Sequence, residues 1–303
     1  MTGAHDGERS PDVDETAVEW LTDCVLEAIA RDDAIDPIAL IFLLQRYAAT
    51  DRADLGAALG AALGTALERP ALSGDRPGWL KLLSEASIIA DDPRMQIAAG
   101  RLDDGLRQDW PGAETVEAAA ESVEACLMAA GAVSSRDLLA SAIDELERIV
   151  GGAYRPGDGV GHAVQGAGPR GRLGDQVAAA SALLTAFALT GRLPYSMLAE
   201  ELMHFARRTL WDDTTGGFFD AAPAGDKSFD VNCGAARVLC RIEALHRDAE
   251  YLKVAVVAAA DTCASDAART LGSQTPGVRQ RGLAAAAYGI ALGEWLHLQR
   301  DLK

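Results

Sequence analysis

Apolar residues return with a helical period along nearly the whole chain, and no alternating apolar–polar run marks a strand. That one pattern restricts the chain to all-α architectures. The spacing predicts twelve helices, over roughly 13–31, 37–50, 53–68, 77–90, 93–108, 113–130, 135–150, 173–190, 194–210, 230–246, 249–264 and 280–300. Turn signatures at Asp51, Asp91, Ser135, Gly191 and Arg247 recur every 40 to 60 residues or so, the mark of an internal repeat.

The predicted connections alternate in length. Tight turns fall at 49–52, 91–93, 131–134, 190–194 and 246–248, and longer Gly- or Pro-bearing stretches at 69–76, 110–112, 151–172, 211–229 and 265–280. Twelve helices make six hairpins if the first pairs with the last, and the alternation gathers the long connections at one end. The expected fold is an (α/α)6 toroid over residues 13–303, behind a disordered tail at 1–12. An open solenoid of hairpins is the competing arrangement. Small-residue segments at 177–181, 234–236 and 283–287 mark the inner ring, where helices crowd together. The Gly56, Gly60, Gly64 stripe is expected to let a neighbouring helix approach closely.

Composition narrows the partners. Apolar residues make up 49% of the 303 but aromatics only 5%, so the core has to be built from Ala, Leu, Val and Ile. A net charge of −17 opposes binding to nucleic acid or to an anionic membrane surface. Five Cys without a C-x-x-C spacing read as reduced, buried thiols, and the polar start lacks a signal-peptide pattern, so a cytoplasmic location is expected. No spacing suits a metal, a nucleotide loop or a nucleophile elbow, so neither metal nor cofactor is expected. Asp32-Asp33-Ala34-Ile35-Asp36 spells a metal-binding string, but it falls in a turn before Pro37 and has no second motif beside it.

Leu173-Gly174-Asp175-Gln176 opens a helix that ends in Leu189-Thr190-Gly191-Arg192. A further helix leads to Leu210-Trp211-Asp212 and then to Gly216-Gly217-Phe218-Phe219-Asp220. Over roughly residues 140–264 this resembles the helical toroid of spermatogenesis-associated-type, thioredoxin-domain-containing proteins. That toroid is itself similar to the six-hairpin glycosidases and the N-acylglucosamine epimerases. The resemblance implies a toroid and a link to carbohydrate chemistry. It does not imply disulfide chemistry, because no redox Cys pair is present. The family's Pro-Ser-Gly-Asn-Ser-like helix entry is matched here by Phe229-Asp230-Val231-Asn232-Cys233, which keeps only the Asn.

Residues that could carry chemistry cluster in the long connections. The 151–174 stretch holds nine Gly together with Tyr154, His162 and Arg172. His162 and Asp220 occupy equivalent places in adjacent loops, as a base or acid beside a carboxylate. Asp175 and Asp230 stand at the starts of two inner helices, either as paired carboxylates for glycoside chemistry or as ordinary helix caps. Asn232 is the one Asn in the chain and offers an amide to a hydroxyl. Arg172 and Arg281 suit an anionic or polyhydroxylated ligand, and Trp211 and Phe219 suit stacking on a sugar face.

The functional expectation is a carbohydrate-active or carbohydrate-binding toroid, hydrolase- or epimerase-like, with its ligand cavity at the long-loop end. His162, Asp175, Asp220 and Asp230 are the catalytic candidates. Tyr154, Arg172, Trp211, Phe219, Asn232 and Arg281 are the ligand-binding ones. The alternative is a non-catalytic interaction or scaffold protein with a protein partner, since fold alone does not set function.

Overall fold

The computed structural model describes residues 14–68, 72, 74–90, 92–166, 168–222, 225–255 and 263–300. The tail expected at 1–12 lies outside them. Thirteen α-helices are described: α1 (Ala17–Ala30), α2 (Pro37–Thr50), α3 (Ala53–Glu68), α4 (Arg76–Ile89), α5 (Pro93–Asp109), α6 (Val116–Ala132), α7 (Arg136–Ala153), α8 (Leu173–Thr190), α9 (Leu193–Leu210), α10 (Phe229–Arg247), α11 (Ala249–Val254), α12 (Cys263–Arg281) and α13 (Ala286–Arg300).

Local chemistry sets many of the boundaries. Side-chain oxygens of Asp75, Asp92, Thr115 and Ser135 accept N–H groups in the first turns of α4, α5, α6 and α7. Pro stands at the start of α2, α4, α5 and α9, where its missing N–H costs nothing. Gly191 ends α8 in the left-handed region at φ +67°. The turn into α9 is therefore two residues long and sends the chain back antiparallel.

The helices form two layers. α2, α4, α6, α8, α10 and α13 each pack on the next, and α13 packs back on α2, so the inner ring closes. The outer helices cover it: α3 lies on α2, α5 on α4, α7 on α6, α9 on α8 and α12 on α10, while α1 packs on α13 and α2. This is the (α/α)6 toroid. All six inner helices start at the end where the longer connections gather. Ala, Leu and Val fill the space between layers, as the composition requires. α8 has the length and hydropathy of a membrane-crossing helix, and its neighbours bury 61% of it.

Two expectations are corrected. The stretch read as a long connection at 265–280 is helical and belongs to α12, and the last inner helix starts at Ala286 instead of 280. Pro276 and Gly277 had signalled a loop. The helix runs through Pro276 because α12 packs along α10, and packing overrides a single missing N–H. The helix read over 249–264 is described at Ala249–Val254 and again from Cys263, and residues 256–262 lie outside the described residues. The glycine stripe of α3 does not serve close approach along its length. A Cβ on Gly56 would meet the Tyr47 ring at 2.9 Å, but Gly60 and Gly64 face open space.

Ring closure puts a demand on Gly289. A Cβ there would stand 2.6 Å from the Phe42 ring of α2 and 3.0 Å from Leu21 of α1. Four residues on, Gly293 has nothing within 4 Å of the same position. Gly289→Ala is expected to destabilise the fold by about 1–3 kcal/mol through overpacking. Gly293→Ala should be neutral or stabilising by up to ~1 kcal/mol from helix propensity. Urea denaturation of the two variants checks this, and equal effects would show that the seam is not tightly packed.

Candidate functional site

The long loop between α7 and α8 is ordered by its own backbone and by the side chains of Arg170 and Gln176. Tyr154–Arg155 and Gly159–Val160 form a short antiparallel hairpin, with Tyr154 opposite Val160. Arg170 donates from Nη1 to the Gly159 carbonyl and from Nη2 to that of Ala153. Gln176, fully buried at the start of α8, accepts the Val160 N–H and donates to the Val160 carbonyl, each at 2.9 Å. The His162 carbonyl accepts the Val116 N–H at the start of α6. The loop thus joins the mouths of two inner helices and holds His162 between them.

His162 meets Asp175 there. His162 Nδ1 lies 3.0 and 3.1 Å from the two Asp175 oxygens, and the Glu117 N–H donates to the same carboxylate. Asp175 is fully buried, so neither partner competes with bulk water. Burial pushes its carboxyl up, and the His162 contact opposes that. Asp175 does not cap its own helix. It faces two other elements. With Nδ1 at the carboxylate, Nε2 faces Arg172 Nη1 at 3.5 Å.

Below this rim the inner ring encloses a hollow, whose charged lining the sequence reading missed. Its two lobes, of about 260 and 280 Å³, share Lys81, Glu121, Glu124 and Arg237 in their walls. Each alone is close to the lower end of the ~300–1,000 Å³ common for ligand pockets. Glu117, Glu121 and Glu124 stand at i, i+4 and i+7 on α6, which places them on one helix face. Asp230, Gly234, Arg237 and Arg241 do the same on α10. Glu124 is the best-held member. Its Oε2 accepts from Lys81 Nζ at 2.6 Å, its Oε1 accepts from Ser181 and Thr185, and Arg241 stands 3.5 Å away. Burial alone would raise its carboxyl, but Lys81 and Arg241 outweigh that and hold it well below the usual range. Glu121 goes the other way. It opens onto the hollow, yet the surrounding protein, reinforced by Glu117, Asp75 and Glu124 and opposed by Lys81, pushes its carboxyl up to about 7.

The other sequence candidates take varied places. Asp230 lines the same lobe as Glu117, and burial raises its carboxyl. Arg281 covers the Phe229 ring at 4.3 Å and lowers that rise. Asp220 spends one oxygen on the Ser228 N–H, which closes its loop. Asn232 is fully buried and wholly occupied: Oδ1 accepts the Phe218 N–H, and Nδ2 donates to the Phe218 and Ser228 carbonyls. It staples the loop and offers no amide to a ligand. Gly217, at φ +74°, lies 3.0 Å from the Asn232 oxygen at its Cβ position, so only glycine fits that staple. Trp211 packs edge-on against Phe218 between Arg207 and Arg269, on the outer wall and away from the hollow. Phe219 lies under Lys227, whose ammonium is bound to Asp212. Tyr154 donates to Glu201 of outer helix α9.

The sequence signal for the hollow was the spacing of charge within apolar helices. Three Glu at i, i+4, i+7 and two Arg at i, i+4 fall on faces that a ring must turn inward. The raised Glu121 carboxyl also has a consequence for stability. Between its ordinary pKa and about 7 the folded state binds more protons than the unfolded state, so this group lowers stability as pH rises through that window. Glu121→Gln removes the cost, and its stability relative to the unaltered protein should increase between pH 5 and pH 8. Denaturation curves at the two pH values check this, and a pH-independent difference would contradict it.

No protein-family model matches the sequence, and no curated protein matches it either. Solved structures do match. An unsaturated glucuronyl hydrolase specific for heparin aligns at TM-score 0.66 and 13% identity, over 96% of this chain and 100% of that one. A sugar epimerase from a ruminal bacterium aligns at 0.63 and 11%, over 94% and 88%. A D-mannose isomerase aligns at 0.58 and 16%, over 84% and 85%. At these identities the likeness concerns the fold alone, and that fold is the six-hairpin glycosidase-like toroid used by carbohydrate hydrolases and epimerases.

Proposed function

We propose that this chain is a carbohydrate-active enzyme, hydrolase- or epimerase-like, that takes a sugar into the hollow from the long-loop end. One observation carries the reading: carboxylates of unlike character converge in a hollow enclosed by a closed ring. Glu121, with its carboxyl near 7, keeps a proton to give at neutral pH. Glu117 and Asp230 line the same lobe and can accept a proton or orient a water. The His162–Asp175 pair stands at the rim with Nε2 as a base, which suits proton abstraction from a sugar carbon. Both hydrolysis and epimerisation need such a donor and acceptor, and the kinship of the fold with enzymes of both kinds supports the pairing. The string from Trp211 to Asp220 further supports a relationship with the toroid of spermatogenesis-associated-type proteins. In this chain it forms a loop tied at Trp211–Phe218 and stapled by Asn232.

The scaffold alternative gains nothing from this lining, since a protein-docking toroid has no use for paired charges turned inward. The test is incubation with mono- and disaccharides in deuterated buffer, reading both new reducing ends and deuterium at the sugar carbons. Reducing ends mark a hydrolase and carbon-bound deuterium an epimerase. Glu121→Gln is expected to lower turnover by about 10²–10⁴-fold while the protein still melts cooperatively. Unchanged turnover in that variant would remove Glu121 from the chemistry. A panel in which no sugar is processed or raises the melting temperature would overturn the reading itself.

A further inference from the structure

The hollow carries more negative charge than it neutralises. Six carboxylates stand in its walls, Asp75, Glu85, Glu117, Glu121, Glu124 and Asp230, against three cations, Lys81, Arg237 and Arg241. Each cation is already engaged. Lys81 and Arg241 face Glu124, and Arg237 Nη2 lies 2.8 Å from Glu294 of α13. Asp75 accepts the Gly78 N–H as a helix cap. Glu85, Glu117, Glu121 and Asp230 are left without a salt bridge or side-chain hydrogen bond among the described residues. Burial raises all four carboxyls, and the cations that oppose it (Arg237 and Lys81 for Glu85, His162 and Arg172 for Glu117, Lys81 for Glu121, Arg281 for Asp230) bond to none of them. Gly174 keeps one of them in place: a Cβ there would meet the Glu117 oxygens at 2.4 and 2.6 Å.

The two free-standing arginines do not reverse this balance. Arg172 sits beside His162 at the rim, and Arg281 lies flat on Phe229, so neither guanidinium belongs to the lining of the lobes. The arginines expected from the loop sequences to favour an anionic or polyhydroxylated ligand thus stand outside an acidic interior.

Resting on the functional reading above, we propose that the sugar residue entering this hollow is not anionic: it is a neutral sugar or an amino sugar, and uronates and sugar phosphates are excluded. The physical reason is the four uncompensated acids. Sugar hydroxyls donate hydrogen bonds to them and satisfy their oxygens. A protonated amine supplies the missing counter-charge. A sugar carboxylate or phosphate brings a like charge into a confined space with no unpaired cation to receive it. The same fold in the glucuronyl hydrolase named above serves a uronate-directed enzyme, so the selectivity would reside in the lining and not in the toroid.

The full-length protein is titrated calorimetrically with glucose and mannose, glucosamine and mannosamine, glucuronate, and glucose 6-phosphate, at low and at moderate salt. The neutral or amino sugar is expected to bind at least about tenfold more tightly than its matched anionic counterpart. Added salt should narrow that gap. Glu85→Gln and Glu121→Gln, which keep shape and remove charge, should each narrow it at low salt. A uronate or phosphate that binds as well as the neutral sugar overturns this proposal and leaves the carbohydrate reading standing. A gap that neither variant moves also overturns it, because the selectivity would then have another origin. Silence from all four classes overturns both.

Discussion

Six helices enclose a hollow only if the last of them meets the first, and here that meeting runs through Gly289. Its missing side chain lets α13 settle against Phe42 of α2 and Leu21 of α1. Closure then decides what the inward faces touch. An inner helix has neighbours on both sides and an outer helix behind it, so only one narrow stripe of each is left facing the axis. Polar residues tolerated on that stripe are brought together from helices far apart in sequence. Lys81, Glu124, Ser181 and Arg241 come from four helices and meet around a single carboxylate. Burying such a set is costly unless every member is satisfied. Glu124 meets that condition, with four partners for its two oxygens. Removing any one of them would leave charge uncompensated in the middle of the ring.

The rim obeys a different constraint. The connections into α8 and α10 are long, and their backbone must find partners largely without regular secondary structure. Side chains near the starts of the inner helices do that work: Gln176 for the hairpin at Val160, Asn232 for the turn at Phe218, and Asp220 for the approach to α10. The residues that best combine polarity with a fixed position at the mouth are thus mostly occupied in shaping it. His162 and Asp175 are the exception. They bond to each other and leave Nε2 of the ring turned toward Arg172.

This division explains what could be read from the chain before its fold was known. Helical period, hairpin rhythm and small-residue inner segments identified the toroid and its long-loop end, because those features depend on local sequence and on crowding. The pairing of His162 with Asp175 could be reached only as two separate candidates at the mouth. Asn232 and Trp211 looked available because type and position were visible and their partners were not. Asn232 is consumed by backbone groups of a loop fourteen residues away, and Trp211 faces two outer-helix arginines. Glu121 escaped notice for the opposite reason. A Glu in mid-helix reads as solvent-facing, and its meaning appears only when the ring places it opposite Lys81 and beside Glu117. Pro276 misled in a third way, since a loop signal was overridden by packing along α10.

The arrangement separates two tasks that a sugar-processing site must combine. Holding a neutral polyhydroxylated ring requires many acceptors at fixed positions, and the α6 and α10 stripes provide them on rigid helices. Moving a proton requires a group whose affinity for it lies near the working pH, and desolvation by the surrounding ring, with acidic neighbours adding to it, raises one carboxyl to that level. Had every acid in the hollow been given its own cation, as Glu124 has, the site would be more stable and would have neither a ready proton nor a free acceptor. The unpaired acids are thus a stability cost retained at the one place where the ring can turn it to chemistry.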